Sequence, residues 1–106
     1  MIRQRLHLSI APGKFRQAVE WVKEYERVTQ ERIPEHPRIR ALVPFSGEVN
    51  SLILEAEYSD LAHWDRVRTA HQTDSEVMNV FRKPLELLTP GVKPWDAFEE
   101  DVTQIA

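Results

Sequence analysis

Two runs with a period of two constrain this chain more than any other feature. From Ile2 to Ile10, Leu6, Leu8 and Ile10 alternate with Arg3, Arg5, His7 and Ser9. From Ser51 to Tyr58, Leu52, Leu54, Ala56 and Tyr58 alternate with Ser51, Ile53, Glu55 and Glu57. Side chains on a strand point alternately to its two faces, so each run is a strand with one apolar and one polar face. Such a strand needs a layer over its apolar face, and the segments between and after the two runs supply it.

After the first run, Pro12 and Gly13 in "APGK" stop the strand. Phe15, Ala18, Val19, Val22 and Tyr25 then recur at helical spacing, which predicts a helix over residues 13 to 31. Trp21 and Val28 lie to one side of that stripe and read as a partly exposed apolar edge, a contact surface. Pro34 and Pro37 in "IPEHPR" cannot continue the helix, so this is a connector, with His36 expected in solvent. Ile39, Ala41, Val43 and Phe45 alternate with Arg38, Arg40 and Leu42, a strand ending near residues 44 to 47. The short "SGEVN" link to the next strand implies an antiparallel hairpin. Ser59 or Asp60 is placed to cap a second helix. "TDSE" at 73 to 76, with Thr73 and Glu76 three apart, predicts a break and a re-cap before "EVMNVFRKPLELL". Pro84 sits near the start of a further short turn, and Pro90 and Gly91 end the helical region. Weaker alternation around Asp96, Phe98, Glu100 and Val102 gives a last strand, which Pro94 restricts to a strand start or an edge.

The order β-α-β-β-α-β predicts an α+β, ferredoxin-like unit: a four-stranded antiparallel sheet with the helices on one face and the first and third strands central. At 106 residues this is a single domain spanning 1–106. Zero cysteines remove disulfides and thiolate chemistry together. A net charge of −3, with both signs interleaved, offers no basic stripe for a phosphate backbone, so nucleic acid is not an expected partner. No apolar run approaches the roughly 18 residues of a membrane span, and "MIRQRLHLSI" lacks a signal-like apolar block, so the expectation is a cytoplasmic protein without membrane attachment.

The face that the helices leave uncovered carries Arg3, Arg5, His7 and Ser9, then Arg38, Arg40 and Leu42, then Ser51, Ile53, Glu55 and Glu57. Arginines facing glutamates across strands contribute roughly 0.2–1 kcal/mol per pair. One reading is a solvated, ion-paired surface; the other is a homodimer in which two such sheets meet around a polar cavity. Arg5, Arg40 and Glu55 would then line a pocket, and His7, with a reference pKa of about 6.5, would be an interior acid–base group. Glu55 and Glu57 could serve as paired carboxylates, although nearby arginines favour a salt-bridged role.

"EYSDLAHWDRVRTAHQ", residues 57 to 72, holds the other candidates. On a helical wheel Trp64, Val67 and His71 share one apolar stripe, with His63 at its margin and expected in solvent. His63 and His71 are about 12 Å apart by helical rise, too far to chelate one metal. Trp64 reads as a core anchor or a pocket wall, and His71 as a buried, hydrogen-bonded imidazole or a pocket group. No phosphate loop, dinucleotide fingerprint, nucleophile elbow or metalloprotease motif is present. No metal or other cofactor is expected.

"LSIAPGKFRQAVEWVKEY" and "LILEAEYSDLAHWDRVRTAHQTDSEV" resemble the dimeric α+β barrel superfamily over roughly residues 2 to 102. The NIPSNAP-like and antibiotic-biosynthesis-monooxygenase-like groups look most similar. The resemblance implies a homodimer whose sheets form a barrel, with each ligand pocket between sheet and helices. Haem-degrading members of the superfamily use an asparagine on the first strand, with a tryptophan and a haem-ligating histidine on the second helix. Here His7 stands in the comparable part of the strand, and Trp64 and His71 are closer together than in that pattern, which counts against haem degradation.

The expected function is therefore binding of a small aromatic or apolar molecule by a homodimer, extending to cofactor-independent monooxygenation with His7 or His71 as the base. The alternative is a non-catalytic homodimeric module. Haem binding through His71 ranks below both.

Overall fold

The alternation, the proline breaks and the caps translate directly into elements. The structure, a computed structural model, describes residues 1–44 and 50–103. It consists of β1 (Ile2–Ser9), α1 (Phe15–Arg32), β2 (Arg40–Leu42), β3 (Ser51–Tyr58), α2 (Leu61–Thr73), α3 (Ser75–Arg82), a 3-10 turn (Lys83–Leu87) and β4 (Trp95–Glu100). The sheet order is β2-β3-β1-β4, antiparallel throughout, with β1 and β3 central as expected. Pro94 immediately precedes β4, which takes an edge, where a missing N–H costs no ladder bond. Phe45 and most of the "SGEVN" link lie outside the described residues.

Register fixes which residues share a face. Leu6 pairs with Leu54, Arg5 with Glu55 and Arg3 with Glu57, while Arg40 pairs with Glu55 from the other side. Leu8 of β1, Ile10 just beyond it, and Leu52 and Leu54 of β3 pack under Ala18 and Val22 of α1, and Val77 and Val80 of α3 complete the core. Gly13, at φ +81°, takes the left-handed turn that brings α1 back over the sheet, a conformation open to glycine at little cost.

Several expectations are corrected. The break expected at residues 73 to 76 is there and divides α2 from α3 at Asp74, but its capping residue differs. Asp74, not Thr73, is the cap: its carboxylate accepts from the Glu76 and Val77 amides, whereas the Thr73 hydroxyl donates back to the Thr69 and Ala70 carbonyls. Trp21 and Val28 are buried, because α3 packs on that side of α1 and the Trp21 Nε1 donates to the Val80 carbonyl at 2.7 Å. Arg38 does not join the open sheet face; β2 begins two residues later, and its guanidinium pairs with Glu26 of α1 at 2.9 Å. His36 is not in solvent but only 8% exposed, since the two-proline connector folds inward beneath α1. His63 is half-buried, its Nε2 at 2.7 Å from the Glu35 carbonyl. α2 itself buries only Val67, and the space between it and the sheet is open.

Candidate functional site

That space is a cleft of about 340 Å³, bounded by the helix-facing side of the sheet, α1, α2, α3 and the connector. It falls in the size range of sites for small ligands. Its apolar walls include Leu6 and Leu54 from the sheet, Trp64 and Val67 from α2, and Met78 and Phe81 from α3. At its outer rim Phe98 of β4 meets Trp64 edge to face, with ring centroids 5.5 Å apart. The Arg68 guanidinium lies 5.1 Å from the centre of the Trp64 ring, while also pairing with Asp65. Trp64 is thus a wall with an exposed cation beside it rather than a fully buried anchor.

Polar groups are few and mostly tied to one another. The Tyr25 hydroxyl and His71 Nε2 are 2.7 Å apart. The Tyr58 hydroxyl donates to Gln4 Oε1 at 3.2 Å, and Gln4 Nε2 donates to the Asp96 carboxylate at 3.2 Å. His36 Nδ1 sits 2.8 Å from the Pro37 carbonyl. Burial sets the ionisation: it raises Tyr25 well above the ordinary phenol and, helped by the Asp96 charge, pushes Tyr58 up to about 12. Burial lowers both His36 and His71 below the usual imidazole value, only partly opposed by the Pro37 carbonyl and Glu26 at His36 and by Asp74 at His71. At neutral pH the cleft therefore presents neutral imidazoles and protonated phenols, with Asp96 and Arg68 as its charged members.

The other sheet face is a separate place, and four of the sequence candidates are there. Glu55, 4% exposed, is clamped by three arginines: Arg40 donates to its Oε1, Arg5 Nε lies 3.4 Å from Oε2, and Arg3 Nε 3.6 Å from Oε1. Arg5 Nε is buried and lacks a hydrogen bond, so the Glu55 charge is its compensation. His7 stacks flat on Trp95 of β4, with centroids 3.7 Å apart and an interplanar angle of 2°. Arg5, Arg40 and Glu55 thus do not line the cleft that holds Trp64 and His71; the strand pleat puts them on its far side. His7 and His71 are likewise separated by the sheet. Glu55 and Glu57 are both ion-paired.

Sequence reasoning placed Trp64 and His71 at the cleft but missed Tyr25, His36, Gln4, Tyr58, Asp96 and Phe98. A signal existed for three: Gln4, Tyr25 and Tyr58 carry polar atoms on otherwise apolar faces, and such atoms need partners. Among the described residues no cluster of three His, Asp or Glu is placed to hold a metal ion. His71, the candidate haem ligand of the sequence, has its Nε2 engaged by the Tyr25 hydroxyl at 2.7 Å. No described helix is long and apolar enough to cross a membrane.

No family model and no curated protein sequence matches the chain. Solved structures do. An uncharacterised NIPSNAP-like domain protein from Burkholderia xenovorans superposes with a TM-score of 0.74 at 19% identity, over 97% of this chain and 86% of that one. A NIPSNAP family protein of unknown function from Agrobacterium tumefaciens gives 0.73 at 12% identity, over 93% and 86%. A protein from Nitrosomonas europaea, described provisionally as an antibiotic biosynthesis monooxygenase, gives 0.72 at 11% identity, over 96% and 99%. The chain shares with these proteins the ferredoxin-like α+β fold that the sequence resemblance implied.

Proposed function

From the fold shared with NIPSNAP-like and monooxygenase-like proteins, we propose that this chain is a homodimeric small-molecule-binding protein. Its ligand is a flat, largely apolar aromatic, held between the sheet and α2. The observation that carries this reading is the cleft: apolar side chains from the sheet and two helices, closed at one rim by the Trp64–Phe98 pair.

The second subunit is proposed to cover the outer sheet face. That face carries Arg3, Arg5 and Arg40 against Glu55, Glu57 and Glu99, a balanced set that a two-fold axis can match to itself. It also exposes Trp95, which stays 57% accessible with His7 stacked on one side of its ring. Oxygenation of the bound aromatic without a cofactor is the catalytic extension of the reading. It is supported by a neutral imidazole in the cleft, a group able to accept a substrate proton, and by the provisional description of the Nitrosomonas protein.

Native mass spectrometry on freshly purified protein tests the assembly and the ligand in one spectrum. A dimer carrying an extra small-molecule mass is the expected result. A monomer at micromolar concentration would end the barrel reading, and a dimer that gains no mass on addition of 2-naphthol would move weight to the non-catalytic module.

A further inference from the structure

Two imidazoles border the cleft, and the protein has settled which nitrogen of each carries the proton. His36 Nδ1 faces the Pro37 carbonyl at 2.8 Å; a carbonyl only accepts, so Nδ1 holds the hydrogen and Nε2 keeps a lone pair. Gln30 reinforces this arrangement by donating Nε2 to both the His36 and Pro37 carbonyls, fixing the connector. Nε2 of His36 has no protein partner among the described residues, and it is not sealed from solvent.

His71 is set by Tyr25. The Tyr25 hydroxyl has His71 Nε2 as its one partner among the described residues. Were Nε2 to donate, the buried phenol hydrogen would be left without an acceptor, which costs a full desolvation penalty. The phenol therefore donates, Nε2 accepts, and the hydrogen of neutral His71 moves to Nδ1. Both rings meet Tyr25 edge to face, with centroids 6.4 Å (His36) and 5.8 Å (His71) from it. An acceptor nitrogen and a donor nitrogen thus border the cleft next to the same phenol.

We infer that His36, not His71, is the proton acceptor of the cleft, that Tyr25 positions His71 as a hydrogen-bond donor, and that the site takes an aromatic hydroxyl compound. This rests on the cleft being a ligand site. A ligand hydroxyl carries a hydrogen that matches the His36 Nε2 lone pair, and lone pairs that match a His71 Nδ1–H. In the transfer step the ligand O–H bond breaks and an N–H bond forms on His36 Nε2. The products are an imidazolium on His36 and an aryl oxide in the cleft.

Long-range ¹⁵N–¹H correlation spectra of the histidine-labelled protein near neutral pH read the tautomers directly. The expected pattern is Nδ1–H for His36 and His71. His63 is an internal contrast: its Nδ1 accepts from the Ser59 amide and its Nε2 faces the Glu35 carbonyl, which requires Nε2–H. Tyr25→Phe should return His71 toward Nε2–H and leave His36 unchanged. Binding is then compared for 2-naphthol, 2-methoxynaphthalene and naphthalene, which offer donor plus acceptor, acceptor alone, and neither. 2-Naphthol should bind about tenfold more tightly than its methyl ether, the worth of one hydrogen bond. His36→Asn, which can keep the bond to Pro37 while losing Nε2, should abolish that preference. An Nε2–H signal at His36 overturns the assignment whatever binds. Equal binding of all three probes overturns it while leaving the cleft a binding site, and failure of even naphthalene to bind removes the cleft reading and this inference together.

Discussion

Replacing Glu55 by Gln keeps the shape of the side chain and deletes the charge at the centre of the outer sheet face. The carboxylate is 4% exposed and serves Arg3, Arg5 and Arg40, which are 45%, 31% and 62% exposed. Exposed ion pairs contribute about 0.2–1 kcal/mol each, whereas stripping one partner from a buried pair costs about 3–5 kcal/mol. A buried acid among half-exposed bases falls between these limits, so the expected loss is about 2–3 kcal/mol. In a domain of this size each kcal/mol moves the melting temperature by about 4 °C, which predicts a drop of about 10 °C. Glu57→Gln is the contrast: its carboxylate is 39% exposed and touches Arg3 at 3.4 Å and Arg40 at 3.8 Å, so its loss should stay under about 1 kcal/mol. Thermal unfolding by circular dichroism, repeated over a range of protein concentrations to separate folding from association, gives both numbers. If Glu55→Gln melted within about 2 °C of the unaltered protein, the clamp would be a surface ornament and the argument from burial would fail.

Trp21→Phe removes the indole donor to the Val80 carbonyl and part of a buried ring, and should cost about 2 kcal/mol in urea unfolding; no change would mean that the α1–α3 contact does not depend on it. His36 and His71 titrate below their unfolded value near 6.5, so the unfolded chain takes up protons first. Stability should therefore decline as pH falls below about 6.5 and level off beneath the folded values, which melting temperatures from pH 7.5 to 4.5 would show. At the alkaline end, Tyr58, raised to about 12, predicts stability lost as pH climbs past about 10. Trp64→Ala opens the rim and should weaken 2-naphthol binding by tenfold or more, with fluorescence titration as the readout and unaltered affinity as the contrary outcome.

The sheet was legible because period-two alternation survives in β1 and β3, where both strands are central and one face is buried. β2 was harder: three paired residues carry little periodicity, and Arg38, outside the strand, looked like part of the pattern. The helical wheel held for Trp64, Val67 and His71, all on α2, which ends at Asp74 where the chain re-caps and turns. His36 could not have been placed. Two flanking prolines argue for a connector but not for the direction in which it folds, and the inward turn depends on Gln30 and α1. The alternation already put Arg5 and Glu55 on the face away from the helices, so naming them as pocket residues beside Trp64 joined two places that the sheet keeps apart.

β4 has a consequence of its own. Its alternation sends Trp95 to the outer sheet face, against His7, and Phe98 to the cleft rim, against Trp64. The strand is an edge, bonded to β1 alone, so a small slide or tilt of it would move both aromatics at once. A ligand that favours one position of Phe98 would thereby favour one position of Trp95. Thermodynamic linkage then requires that whatever binds Trp95 alter the affinity of the cleft by the same factor.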